Sequence, residues 1–196
     1  AASERAAIRT TFNVAENEVK ELMPGQALIV KSDGSYTIDQ ILEPKERKAC
    51  SFERIYFSRG NDEKIYRERS QLGYNLSDKV LHAIDHDLKN TIFSFIPNTA
   101  EVAFYGMVKG MEHYLNKIKV QRIMSWDKEF DEDKLTEMIN RKIRMEKIAI
   151  KDVKMRTFIT QDSARDEMVS HVYDVTHGTV KPGVDTLVVI DDSIVR

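Results

Sequence analysis

Apolar residues in this chain gather in short runs, and the spacing within each run predicts its element. Ala27-Leu28-Ile29-Val30 is continuous, Asp33-Gly34 is a turn dipeptide, and Tyr36-Thr37-Ile38 returns, so residues 25–38 read as a β-hairpin. Residues 50–57, rich in aromatic and β-branched side chains, read as a strand. Residues 62–87 carry a helical pattern with a break near Gly73-Tyr74-Asn75, after which Ser77 fits an N-cap and Val80, Leu81 and Ile84 keep helical spacing. Thr91-Ile92-Phe93-Ser94-Phe95-Ile96 is a strongly apolar strand closed by Pro97, with Asn98 placed to cap the helix whose stripe is Phe104, Met107, Val108, Met111 and Leu115. Residues 120–125 fit a short strand, 133–151 a basic amphipathic helix, and 157–159 another strand. A second helical pattern holds Met168, Val169, Val172 and Tyr173, and residues 186–190 form the last strand. Strands alternating with helices predict an α/β domain with a parallel sheet from about residue 50 onward.

Composition narrows the class. Over 196 residues, 30 Lys+Arg against 32 Asp+Glu leave a formal charge of −2, which removes the broad electrostatic case for a nucleic-acid-coating or membrane-surface protein. Eight Gly and four Pro are too few for a linker-rich or low-complexity chain. The single cysteine, Cys50, can form neither an internal disulfide nor a thiolate cluster, and a cytoplasmic location is expected from it. No apolar run approaches the ~18 residues of a membrane span. Neither nucleic acid nor a membrane is an expected partner. The polar stretch Glu43-Pro44-Lys45-Glu46-Arg47-Lys48 reads as a linker and is the best boundary in the sequence.

The strongest chemical signal is Thr186-Leu187-Val188-Val189-Ile190-Asp191-Asp192. A continuous apolar run fits a strand buried on both faces of a parallel sheet, and ligands of open α/β sheets sit beyond the carboxyl ends of such strands. Two adjacent carboxylates there can accept hydrogen bonds from ribose hydroxyls or hold a hard divalent cation. Turn formation or helix capping is the other reading of the same pair.

The longer string Val189-Ile190-Asp191-Asp192-Ser193-Ile194-Val195-Arg196 resembles the phosphoribosyl-diphosphate-binding signature of the amidophosphoribosyltransferases, the glutamine phosphoribosyl-diphosphate amidotransferases. Other stretches resemble that family in the same order. Ala2-Ser3-Glu4 and Pro24-Gly25-Gln26-Ala27 are similar to the closing strands of its glutaminase domain, and residues 50–59 to the segment joining its two domains. Ile96-Pro97-Asn98-Thr99-Ala100 resembles its diphosphate-contacting loop, and Arg156-Thr157-Phe158-Ile159 the start of its mobile catalytic loop.

The resemblance implies a type I phosphoribosyltransferase-like parallel sheet, truncated, preceded by a short β-hairpin segment from the end of an N-terminal-nucleophile glutaminase domain. Residues 1–48 would close the glutaminase domain with its linker and 49–196 would open the transferase domain, so the chain reads as a central fragment or a diverged paralogue. The implied reaction is glutamine-dependent transfer of ammonia to 5-phosphoribosyl diphosphate, giving phosphoribosylamine, pyrophosphate and glutamate, the first step of purine synthesis. Phosphoribosyl diphosphate and glutamine are the implied partners, a homo-oligomer is expected, and the fragment by itself is expected to be inactive. Asp191, Asp192, Ser193 and Arg156 are the implied substrate contacts, and Thr99, Asp191 and Asp192 the implied ligands of Mg²⁺; no catalytic residue is assigned. The sequence departs from the family at Gln161-Asp162-Ser163-Ala164-Arg165-Asp166-Glu167-Met168, where one Arg stands in place of several basic residues, and residues 116–151 look inserted. The alternative is therefore a non-catalytic phosphoribosyl-diphosphate-binding regulatory protein or diverged paralogue of the same fold.

Weaker signals read as structural. His82, Asp85 and His86 have a spacing that could bind metal on one helix face, but without a third ligand they read as a solvated face. Gly106 and Gly110 have the small-xxx-small spacing of closely packed helices, and Lys109 between them excludes a membrane helix.

Overall fold

The computed structural model describes residues 1–46, 48, 50–126, 131–151 and 173–192. The chain divides into two compact units, Ala1–Ile65 and Tyr66–Arg196. In the first, helix α1 (Arg5–Phe12) is followed by a short 3-10 turn at Glu16–Glu18. The Arg5 guanidinium ties the two together, reaching Glu16 at 2.8 Å and Glu21 at 3.6 Å. Strands β1 (Gln26–Val30) and β2 (Tyr36–Gln40) pair antiparallel, with Leu28 opposite Ile38 and Val30 opposite Tyr36. Their turn is held by Asp33, whose Oδ1 accepts from the Ser35 amide at 2.9 Å and hydroxyl at 2.7 Å, while Gly34 takes a φ of +82°.

Residues 53–57 are not a strand. Glu53–Phe57 form a wide helical turn in which the Ser58 amide donates to the Glu53 carbonyl at 2.8 Å. Phe52 packs on Tyr56 with ring centres 4.6 Å apart and on Phe57 at 5.4 Å. The aromatic residues that predicted a strand pair with each other one helical turn apart instead. Strand propensity is a fit to a half-buried pleated surface, and among the described residues no neighbouring strand pairs with this segment.

Helix α2 (Glu63–Ala83) starts under the Asp62 carboxylate, which accepts from the Lys64 and Ile65 amides at 3.0 and 3.3 Å. It runs through Gly73-Tyr74-Asn75 without the expected break, and Ser77 is not an N-cap; its hydroxyl donates to the Tyr74 carbonyl at 2.7 Å, inside the helix. The glycine is there for contact. A Cβ on Gly73 would lie 1.7 Å from the Ala103 carbonyl oxygen, and one on Gly106 would lie 1.9 Å from that of Ser70. Both partners sit on α3 (Glu101–Met124) or α2, so the two helices touch backbone to backbone.

These helices cover a mixed α/β core around a three-stranded parallel sheet. Its order is β4 (Arg144–Met145), β3 (Thr91–Phe95), β7 (Thr186–Ile190). Every residue of central β3 is buried, and Phe93 and Phe95 pack with Leu81 of α2 and with Phe104, Met107 and Met111 of α3. On the opposite side Ser94 Oγ accepts from the Ile148 amide at 3.1 Å. A separate antiparallel pair joins β5 (Ala149–Lys151) and β6 (Tyr173–Val175). Strand β7 was expected to be buried on both faces, but Leu187 and Val189, which share one face, are 40% and 42% exposed among the described residues.

Two further expectations are corrected. Residues 120–124 continue α3, not a strand. The basic helix expected over 133–151 is only α4 (Glu132–Asn140), after which the chain enters β4 and β5. Arg144 in this stretch, and Lys119 of α3 beside the end of α4, have protein partners. Lys119 Nζ donates to the Ile139 and Arg141 carbonyls at 2.8 and 2.7 Å, capping the end of α4. Arg144 forms a two-pronged pair with Asp185, at 2.5 and 3.2 Å, and also reaches the Lys89 carbonyl at 3.1 Å. Arg144 and Asp185 stand at the starts of the two strands that flank β3, so their pair spans the sheet at its amino edge.

The Asp185 side chain is almost wholly covered, and Arg144, together with the Lys181 amide, holds its carboxyl below the usual carboxylate range. A depressed pKa contributes stability above the unfolded value, about 4, and that contribution is lost as pH falls through the folded value. Asp185→Asn therefore lowers the urea midpoint at pH 7, and the gap to the unaltered protein narrows as both are acidified below about pH 4. An equal gap at both pH values would show that the carboxylate charge is not what Arg144 holds. The expected strand at 157–159 and the helical pattern through Val172 lie outside the described residues, while Tyr173 belongs to β6. Among the described residues no helix is long and apolar enough to cross a membrane.

Candidate functional site

The parallel register of β3 and β7 sets Phe95 beside Ile190, and the Ile96 amide extends the ladder to the Ile190 carbonyl at 2.8 Å. Both strands thus end at one level. From β3 the chain passes through Pro97-Asn98-Thr99-Ala100 into α3; from β7 it passes directly into Asp191-Asp192. Two segments about 90 residues apart in sequence meet because adjacent parallel strands must end together.

The meeting is a contact. The Thr99 side chain lies close enough to the Asp192 carboxyl to favour its charged form, and the Asp192 amide donates to Asp191 Oδ1 at 2.8 Å. Asp191 is exposed and Asp192 half-buried. Burial first, and then the hydrogen bond and negative charge of Asp191, push the Asp192 carboxyl up to about 6, against a smaller opposing effect from Thr99. Among the described residues neither carboxylate has an ion-pair partner. Among the described residues, therefore, no cation balances the negative charge at this edge. Two carboxylates and a hydroxyl are all hard oxygen donors, and Mg²⁺ is commonly held by one or two carboxylates with the remaining positions left to water and substrate oxygens. Thr99, Asp191 and Asp192 fit such an ion, and the charge surplus is what it would relieve.

The start of α3 adds a feature the sequence did not reveal. Asn98 was expected to cap it through its side chain, but the helix has no side-chain cap: Ala100 stands at the N-cap position, and Asn98 contributes only its carbonyl, which accepts from the Glu101 amide at 3.3 Å. An uncapped helix start presents backbone amides and the positive end of the helix dipole, an arrangement suited to phosphate. The only sequence signal was negative, namely Ala100 where Ser, Thr or Asp would ordinarily stand.

Of the residues the sequence singled out, Thr99, Asp191 and Asp192 converge here, whereas Ser193 and Arg156 lie outside the described residues. Among the described residues the site is an open strand edge. Two cavities lie elsewhere, one of about 330 Å³ along α3 beside His113 and Val120, and one of about 270 Å³ in the first unit beside Arg9 and Asn61.

Comparison with solved structures finds a similar fold in the allosteric regulatory enzyme of purine biosynthesis. The TM-score is 0.55 at 23% sequence identity, over 91% of this chain and 31% of that one. The chain thus spans under a third of that protein's length, and the likeness is one of fold. No family model and no curated protein sequence matches the chain.

Proposed function

We propose that this chain carries the phosphoribosyl-diphosphate site of a glutamine-dependent amidotransferase of the amidophosphoribosyltransferase kind. The observation that carries the reading is the convergence of Thr99, Asp192 and Asp191 at the carboxyl edge of two neighbouring parallel strands, beside the uncapped start of α3. In this reading Asp191 and Asp192 accept hydrogen bonds from the ribose hydroxyls, and the first amides of α3 receive the diphosphate. Ser193 and Arg156 are further substrate contacts. Thr99, Asp191 and Asp192 would hold Mg²⁺, which when bound neutralises charge on the departing diphosphate. Ammonia released from glutamine attacks C1 of the ribose through its lone pair. The C1–N bond forms as the C1–O bond to the diphosphate breaks, pyrophosphate leaves with that electron pair, and the surplus proton passes from nitrogen to water. No residue of this chain need act as a base, because ammonia is already a nucleophile.

In the same reading residues 1–48 close a glutaminase domain, 49–196 open the transferase domain, and the chain alone is inactive. Fold by itself does not separate this from a protein that binds the sugar diphosphate without reacting it. That second reading is favoured by the acidic stretch at Asp166-Glu167, where only Arg165 offers a positive charge to the diphosphate. One experiment decides both. Phosphoribosyl diphosphate binding and pyrophosphate release are measured on the full-length protein with Mg²⁺ and either glutamine or ammonium. Binding with release is expected. Binding without release from either donor establishes the second reading, and absence of binding removes both.

A further inference from the structure

The end of α2 carries a pair of histidines that the strand-edge site does not use, and we infer that His82 and His86 form a two-histidine site for a late divalent transition metal such as Ni²⁺, Cu²⁺ or Zn²⁺. The sequence places His82, Asp85 and His86 at helical spacing, but α2 stops at Ala83. Asp85 and His86 then take left-handed backbone, with φ of +49° and +58°, and the His86 amide closes back on the Leu81 carbonyl at 2.9 Å. This turn separates the three residues and leaves the two imidazole rings inclined at 64° to each other, with ring centres 5.0 Å apart.

That separation matches metal chemistry. Two imidazole nitrogens bound at ~2.1 Å and a roughly tetrahedral angle place their ring centres about 5 Å apart. Both rings are also held from outside the pair. His82 Nδ1 lies 2.7 Å from the Asp78 carbonyl, which can only accept, so Nδ1 donates there and Nε2 is the nitrogen left to face a ligand. A backbone carbonyl behind one imidazole nitrogen is the usual outer support of a metal-bound histidine. His86 is packed on its other side by the Tyr114 ring of α3 at 5.2 Å. Both histidines are exposed, so water can complete the coordination. Among the described residues no third His, Cys, Asp or Glu joins them. Two neutral nitrogens without a carboxylate select late transition metals over Mg²⁺, whereas the oxygen donors Asp191 and Asp192 have the reverse preference. The ion would pin the end of α2 to the turn that leads into β3.

The test is a calorimetric titration of the protein with Ni²⁺ in excess Mg²⁺, repeated with His82→Gln, His86→Asn and, as a control, His113→Gln. Asn is chosen at position 86 because it tolerates left-handed backbone. A Ni²⁺ site is expected whose affinity falls at least about tenfold in each of the first two variants, the lower range for loss of even an outer partner of a ligand. It is unchanged in the control. Independently of any variant, paramagnetic Ni²⁺ should broaden the ring resonances of His82 and His86 together in the unaltered protein. Full Ni²⁺ affinity in either His82→Gln or His86→Asn, or broadening of one ring without the other, overturns the inference.

Discussion

Replacing Gly73 or Gly106 with alanine lowers the stability of the helical unit by about 3 kcal/mol, the upper part of the range for overfilling a packed interior. The direction is informative because alanine is the better helix former by about 1 kcal/mol, so an exposed glycine at mid-helix would gain from the change. Here the added methyl meets backbone. Its carbon would stand 1.7 Å from the Ala103 carbonyl oxygen in one case and 1.9 Å from the Ser70 carbonyl oxygen in the other, with each carbonyl carbon less than 3 Å away. Neither atom can rotate aside, so α2 and α3 must separate. Leu81 on α2 shares one core with Phe104, Met107 and Met111 on α3, and separation opens that core.

Gly110→Ala costs less, because the Ser77 hydroxyl, 2.4 Å from the new carbon, can rotate, and the fixed contacts that remain, Ser77 Cβ at 2.7 Å and the Tyr74 carbonyl oxygen at 3.2 Å, are looser than those of Gly73 and Gly106. Gly34→Ala meets nothing within 4 Å and costs only the left-handed backbone, about 1 kcal/mol. Urea unfolding of the four variants gives this order directly. A Gly106→Ala protein as stable as the unaltered one would mean that the helices do not approach at their backbones.

Gly73 also shows why part of the fold was legible in the sequence and part was not. Strands β3 and β7 were legible as strands because Thr91–Phe95 and Thr186–Ile190 are short, near-continuous apolar runs, although only β3 has the central, fully buried place such a run implies. The break expected at Gly73 failed because glycine opens a helix only when nothing compensates, and the compensation comes from α3, thirty residues later. The helix expected over residues 133–151 failed for a related reason. Arg144 reads as one more basic position of an amphipathic stretch until its acceptor, Asp185, is known. At the site, Asp191 and Asp192 were legible as a pair at a strand end. Their partner Thr99 rested on resemblance alone until the parallel register brought it to Asp192. The missing cap on α3 could not be read, since an absent side chain carries no motif.

Asp192→Asn moves stability and binding in opposite directions. The Asp192 carboxyl is pushed up to about 6, above its ordinary value near 4. A raised carboxyl pKa contributes stability that is fully present below the unfolded value and is lost as pH rises through the folded value. The metal-free protein therefore loses stability between about pH 4 and pH 6, where Asp192 must ionise beside Asp191. Asparagine removes that cost, so at pH 8 without metal the variant is the more stable. For a wholly buried group the shift would be worth roughly 3 kcal/mol, but solvent reaches this half-buried side chain, and about 1 kcal/mol is expected.

Binding runs the other way. If Asp191 and Asp192 hold Mg²⁺ as proposed, protons and the cation compete for the same oxygens, and phosphoribosyl diphosphate affinity in the unaltered protein is expected to rise up to about tenfold per pH unit below 6 and level off above it. The Asp192→Asn protein binds about tenfold to a hundredfold more weakly at pH 8, and the pH dependence near 6 is gone. Thermal melts without metal and calorimetry with Mg²⁺, on the same two proteins, read both effects. A variant that is less stable than its parent at pH 8 shows that Asp192 is a structural turn former, whose loss costs the fold its hydrogen bonds. A variant that is more stable yet binds equally well shows that the charge surplus is real but serves some ligand other than a sugar diphosphate.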